Sequence, residues 1–281
     1  MKRRQMLWGS AGLLAGAAAG PSQAQATADQ AGMADQALRA ALAAPHRTPA
    51  FVARDGWRHP FETLRFFGLQ PGMTVVELSP GGGWYTEILA PLLREQGQLF
   101  LGANDPASIH AYYRRAAERL KAKLDARPEV YGRVVLNVFE PPAQLQFAAP
   151  GSVDRVLTFR NVHNWAAEGD AVVLAVFQSV HQALKPGGVF GVVDHRLPAD
   201  RVQDAKASSG YLHQAYVRRL AESAGLRLDA ASELNANPRD GADHKGGVWA
   251  LPPTYANKDA DRARYEAIGE SDRFTLRFVK P

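Results

Sequence analysis

Cysteine is absent from this 281-residue chain, which removes disulfide staples, thiolate metal sites and a cysteine nucleophile together. Any catalysis must use other groups. Apolar runs of the roughly 20 residues that span a bilayer are missing too, since the stretch from Met6 to Gly20 falls short. No internal repeat is visible, and no heptad or apolar stripe sets an oligomeric state. Net charge is scarce: the formal +5 includes Lys2, Arg3 and Arg4, and without these three the chain carries +2, too little for a nucleic-acid partner. What is present is an ordinary globular composition, 46% hydrophobic and 22% charged, at a length suited to one large α/β domain.

The three N-terminal cations precede the apolar stretch, which leads through Pro21 to Ala24-Gln25-Ala26, the small-x-small pattern of a signal-peptidase site. Residues 1–26 are therefore expected to be a cleaved leader. Arg3-Arg4-Gln5-Met6-Leu7 resembles a twin-arginine export signal, the route for already folded proteins, with Lys2 standing where Ser or Thr is usual. The expectation is a periplasmic protein that meets the twin-arginine export machinery and has no membrane attachment after cleavage. An unused leader would leave it cytoplasmic.

Helical spacing of Met33, Ala37, Leu38, Ala41 and Leu42 predicts a helix over Asp29 to Ala44, and another runs from Phe61 to Phe67, closed by Gly68. Residues 27–70 form an expected helical cap, and 71–281 the main domain. Short apolar runs then alternate with helical patterns: strands at Thr74 to Leu78, Leu99 to Leu101, Arg133 to Val138, Arg155 to Phe159 and Val189 to Val193. The helices between and after them are Glu87 to Arg94, Ile109 to Leu124, Ala171 to Leu184 and Leu212 to Ala224. That alternation implies right-handed βαβ units and a mostly parallel sheet. Leu226 to Leu228 and Phe274 to Val279 read as a final antiparallel pair, with no clear helix in the long polar stretch 232–271 between them.

The sharpest local feature is Val75-Val76-Glu77-Leu78-Ser79-Pro80-Gly81-Gly82-Gly83-Trp84-Tyr85, a strand ending in an acid and a glycine turn before a helix. Such a turn lets a ligand approach the backbone where a Cβ would block it. Here the chain resembles the class I S-adenosylmethionine-dependent methyltransferases, whose first motif runs acid-x-Gly-x-Gly-x-Gly. Glu77, Gly81 and Gly83 match, and Ser79 replaces the first glycine. Asp154-Arg155-Val156-Leu157-Thr158-Phe159-Arg160-Asn161-Val162-His163 looks like the fourth-strand segment, and Ala183-Leu184-Lys185-Pro186-Gly187-Gly188-Val189-Phe190 like the turn before the fifth strand. Arg54 to Tyr85 and Ser271-Asp272-Arg273-Phe274 are similar to an exported bacterial set of predicted methyltransferases.

The resemblance implies a Rossmann-like seven-stranded α/β sheet, mostly parallel with an antiparallel C-terminal pair and helices on both faces. S-adenosylmethionine would lie at the strand tips, with Glu77 near its amino-acid end, Gly81 and Gly83 letting the backbone approach, Ser79 and Asn161 also binding it, Asn104 where the ribose acid usually stands, and Glu140 on the adenine side. Asn104 and Glu140 have alternative readings as turn or helix-cap residues.

Methyl transfer needs positioning, plus a base when the acceptor is protonated. His163, His195 and Asp194 are the catalytic candidates, with satisfaction of buried loop backbone as their rival role. Arg54, Asp55, Arg58 and His59 fit either a lid over the site or a salt-bridged cap. His181 shares an apolar helix face and reads as a core residue. No metal site is expected, because His163, His195, His213 and His244 show no close ligand spacing. Two functions stay open: methyl transfer to a small-molecule acceptor, or an exported methyltransferase-like fold that binds a small molecule without transfer.

Overall fold

The computed structural model describes residues 23–281, with side chains from residue 29 onward. The leader expected over residues 1–26 lies outside them, save for Gln23 to Ala26, the first turn of α1 (Gln23–Leu42). After α1 come three short helices, α2 (Pro49–Val52), α3 (Asp55–Arg58) and α4 (Pro60–Phe66), then β1 (Thr74–Leu78) and α5 (Thr86–Leu93). The chain continues through β2 (Gln98–Ala103), α6 (Ala111–Asp125), α7 (Pro128–Tyr131), β3 (Val135–Val138) and β4 (Val153–Phe159). It closes with α8 (Val162–Ala167), α9 (Asp170–Ala183), β5 (Leu184–His195), α10 (Gln214–Ser223), β6 (Arg227–Ser232), α11 (Arg262–Ile268) and β7 (Arg273–Val279).

The seven strands form one sheet in the order β3-β2-β1-β4-β5-β7-β6. β1 to β5 pair in parallel, while β7 runs antiparallel to both β5 and β6. Alternation along each strand feeds two cores. Val75, Leu157 and Val193 face α1, α4 and α5, whereas Val76, Val156 and Val192 face α9 and α10. Strands covered on both sides are rich in apolar residues, as Val75, Val76 and Leu78 show in β1 and Val189, Phe190, Val192 and Val193 in β5. Among the described residues no helix is long and apolar enough to cross a membrane.

The chain builds outward from β1 to β3 on one side, then returns to lay β4 against the other edge of β1. That reversal opens a crevice at the carboxyl ends of β1 and β4, where open α/β sheets receive ligands.

Three expectations need correction. Ladder pairing of β5 starts at Leu184 opposite Val153, so the Lys185-Pro186-Gly187-Gly188 segment lies within the strand across an irregular register instead of preceding it. The 232–271 stretch contains α11, a seven-residue helix too short for an apolar stripe to reveal. His181 is half-buried beside Gly225 at the edge of the core.

Candidate functional site

At the tip of β1 the backbone turns through three left-handed residues, Ser79 (φ 52°), Gly81 (φ 57°) and Gly83 (φ 77°). Ser79 thus adopts the conformation the missing glycine would supply, at a strain of roughly 1 kcal/mol or more. A Cβ added at Gly81 would meet no atom within 4 Å, so this glycine borders open space. One added at Gly83 would touch Thr86 and Leu120, so that glycine serves the packing of α5 and α6.

Glu77, expected to hold the ligand, does not line this space. It is buried beneath the turn, where Thr86 Oγ1 donates to its Oε2 at 2.6 Å and ties β1 to the start of α5. Burial is the main influence on its carboxyl and raises the pKa from 4.5 to about 7, against the opposing pull of Thr86 and Lys123. A raised acid pKa means the folded state holds its proton more tightly, so this stability is complete below about pH 4.5 and is lost as pH climbs towards 7. Urea midpoints at pH 5 and pH 8 should therefore diverge more for the wild type than for Glu77→Gln. The variant should gain on the order of 2–3 kcal/mol over wild type at pH 8.

The space beside Gly81 is a hollow of about 290 Å³, walled by Ser79, Gly81, Asn104, Tyr113, Glu140, Asn161 and Trp165 among others. Asn104 stands at the tip of β2. Glu140, at the tip of β3, accepts from Ser108 Oγ at 2.6 Å and from the Asp105 amide at 3.2 Å, clasping the loops after β2 and β3 together. Asn161, after β4, donates to Leu78 O at 3.1 Å and Ser79 O at 3.3 Å, fixing the glycine turn against the neighbouring strand. Of the seven residues expected around the cofactor, five therefore share this wall, while Glu77 and Gly83 support it from behind.

A second hollow, of about 300 Å³, adjoins the first and shares Tyr112 and Asn164 with it. Its wall includes Arg160, His163, His195, Trp249, Glu270 and Ser271. Asp194 is fully buried at its base. One carboxylate oxygen receives His163 Nδ1 and the His195 amide, each at 2.8 Å, and the other receives the Val162 amide at 2.7 Å and the His163 amide at 3.4 Å. Asp194 thereby anchors the start of α8 and orients His163. Three backbone amides donate to this carboxylate, which therefore acts as an acceptor, and the His163 tautomer that donates Nδ1–H to it leaves the Nε2 lone pair free. His195 Nδ1 pairs with Ser271 Oγ. Burial, followed by the charges of His163 and Arg160, pushes the His195 pKa well below 6.5, which keeps its ring neutral. Arg196 turns away to Glu233 and Asp272.

Ligating atoms of His163, Asp194 and His195 come within 4.8 Å of one another, a cluster that sequence spacing did not reveal. With both Asp194 oxygens already occupied and Arg160, Arg58 and Arg273 acting on His195, its surroundings oppose a cation. His244 bonds Asp240 elsewhere. Arg54 and Arg58 join Glu270 in the wall of the second hollow, and Arg47 joins Asp55, so the N-terminal cluster is salt-bridged and two of its arginines reach that wall. Sequence reasoning did not single out Arg160, Trp249 or Glu270. The available signal was a cation one position beyond the end of a buried strand.

The same architecture recurs among solved structures. A SAM-dependent methyltransferase from Aquifex aeolicus aligns over 84% of this chain and 95% of its own, with TM-score 0.55 at 15% identity. Geranyl diphosphate C-methyltransferase from Streptomyces coelicolor A3(2), solved with Mg²⁺, geranyl diphosphate and S-adenosyl-L-homocysteine, covers 86% and 88%, with TM-score 0.54 at 14% identity. This is the class I methyltransferase fold. No family model matches the chain. An uncharacterised methyltransferase of Synechocystis sp. is 28% identical over 146 residues, half of this chain and 54% of the relative. In the methyltransferase fold found here, the glycine turn and the first hollow lie where the order of strands reverses, and the second hollow opens beside them beyond the ends of β4 and β5.

Proposed function

We propose that the chain binds S-adenosylmethionine in the hollow beside Gly81 and transfers its methyl group to a small molecule held in the adjoining hollow. The observation that carries this reading is the pairing of two hollows with shared walls. One is bordered by a backbone without side chains, the other holds a buried imidazole–carboxylate pair. The residues fit the donor: a Cβ at Gly81 would project into the first hollow, and Asn104 and Glu140 offer hydrogen-bonding groups along it. The methyltransferase relatives support the same reading.

Bound there, the sulfonium supplies an electrophilic methyl group, with the C–S electron pair leaving on sulfur. The protein's part is alignment and proton removal. Tyr112 and Asn164, common to both walls, frame the passage between donor and acceptor, where reacting atoms must come within about 3–3.5 Å. His163 Nε2 takes the acceptor's proton while Asp194 stabilises the resulting imidazolium. The leader adds a setting, in which the protein is loaded with cofactor inside the cell and then exported by the twin-arginine route to the periplasm.

A second reading, binding without transfer, draws on Asn104, an amide where the family usually places a ribose-binding acid. Calorimetric titration of the full chain with S-adenosylmethionine and with S-adenosylhomocysteine tests the site. Micromolar binding of both is expected, and silence with both, together with no thermal stabilisation, would refute it.

A further inference from the structure

The second hollow has more positive charge around it than its acids can balance. Glu270 in its wall is already shared by three arginines, Arg54 Nε at 2.6 Å, Arg273 Nη1 at 3.1 Å and Arg58 Nε at 3.4 Å. The other nearby acid, Asp194, has both oxygens filled by N–H groups. Arg160 is a fourth guanidinium, and it makes no side-chain hydrogen bond or ion pair with any described residue. Arg54 Nη2, Arg58 Nη2 and Arg273 Nε are also buried without partners, so the surroundings hold surplus donors as well as surplus charge.

Such an arrangement is costly in a low-dielectric setting unless something fills it. Arg160 is additionally held at φ 64°, a left-handed conformation that disfavours any residue with a Cβ. Its amide is fixed to Val193 O at 2.7 Å, which anchors the residue at the junction of β4 and β5. Desolvation, with Arg54 and Arg273 adding to it against Glu270, lowers the Arg160 pKa to about 10, still well above neutrality. Much of the remaining wall is polar, with Asn164, Thr254 and Ser271, but Trp249, Pro252 and Pro253 give one part of it a flat, apolar surface.

We infer that this hollow takes an anionic acceptor, a small carboxylate- or phosphate-bearing molecule. Its acid group meets the Arg160 guanidinium, and its apolar body lies against Trp249, Pro252 and Pro253. This rests on the neighbouring hollow being the methyl donor's seat. A planar guanidinium matches both oxyanions bidentately, so Arg160 selects for charge and leaves the choice between them to shape.

The test uses the full chain saturated with S-adenosylhomocysteine, titrated with 4-hydroxybenzoate, phenyl phosphate and the neutral 4-hydroxybenzamide. At least one anion should bind roughly 30-fold more tightly than the amide, a span typical of charge-assisted hydrogen bonds. Arg160→Met should cut that preference to about threefold or less, and Arg160→Lys, which keeps charge without the fork, should retain part of it. S-adenosylhomocysteine affinity reports whether each variant is folded. The relative affinities of the benzoate and the phosphate separate the two sources of anion. Equal binding of amide and anions, an undiminished preference in Arg160→Met, or no binding of any of the three would overturn the inference. Those results leave the donor reading intact if S-adenosylhomocysteine still binds. Failure of S-adenosylhomocysteine alone, with anions still preferred, would instead remove the donor reading.

Discussion

Gly81→Val is expected to abolish binding of both S-adenosylmethionine and S-adenosylhomocysteine while leaving the protein folded. Two effects combine. At φ 57° a β-branched residue is strained, which threatens the shape of the turn. The added side chain would also project into the open space that Gly81 borders, which includes the hollow, because no protein atom lies within 4 Å of the position its Cβ would take. The same lack of neighbours limits the damage to the core, so the stability cost should stay near the 1–3 kcal/mol of backbone strain. Affinity should fall by about 100-fold or more, since the displaced volume is that of a well-filled ligand contact. Gly83→Val provides the contrast: its side chain would press on Thr86 and Leu120, so stability should fall further and affinity less. Titration calorimetry and urea denaturation on the two variants separate these outcomes.

Asp194→Ala is expected to be the most destabilising single change in the site. Its carboxylate satisfies three backbone amides and one imidazole, all buried, and alanine would orphan them together. Each buried unsatisfied donor costs about 1–3 kcal/mol, and a loss of about 3–5 kcal/mol overall is consistent with breaking other buried charged networks. Asp194→Asn should cost less, because one oxygen remains to accept. Both variants release His163 from its tautomer, so any measured transfer should fall by about 10²-fold or more, the usual worth of a positioned base. An unfolding free energy for Asp194→Ala, from urea denaturation, within about 0.5 kcal/mol of wild type would contradict the anchoring role.

Much of this architecture is legible in sequence because the determinants are local. Apolar-rich stretches in β1 and β5 and the glycine turn each announce themselves within a few neighbouring positions. The positions of Ser79 and Asn104 follow from the same local frame. The second hollow is different. Its charge balance depends on Glu270 meeting Arg54 and Arg58 across more than two hundred residues, and on Trp249 arriving from the long connection between β6 and β7. No periodicity encodes such meetings. Arg160 was visible as a letter in the fourth-strand segment, but that its guanidinium forms no hydrogen bond or ion pair with the acids near it is a property of three-dimensional packing alone. Glu77 was read correctly as an acid at the end of β1, yet only burial reveals that it holds up the turn from behind.

The central claim is that a nucleoside sulfonium belongs at the crevice between β1 and β4, with its methyl group directed at the neighbouring hollow. A crystal structure of the full chain with S-adenosylhomocysteine tests this most directly. The account predicts the adenosine between Asn104 and Glu140, with the sulfur at the passage framed by Tyr112 and Asn164. A ligand seated instead in the cleft between α9 and the segment around Leu145 to Pro150 would contradict it.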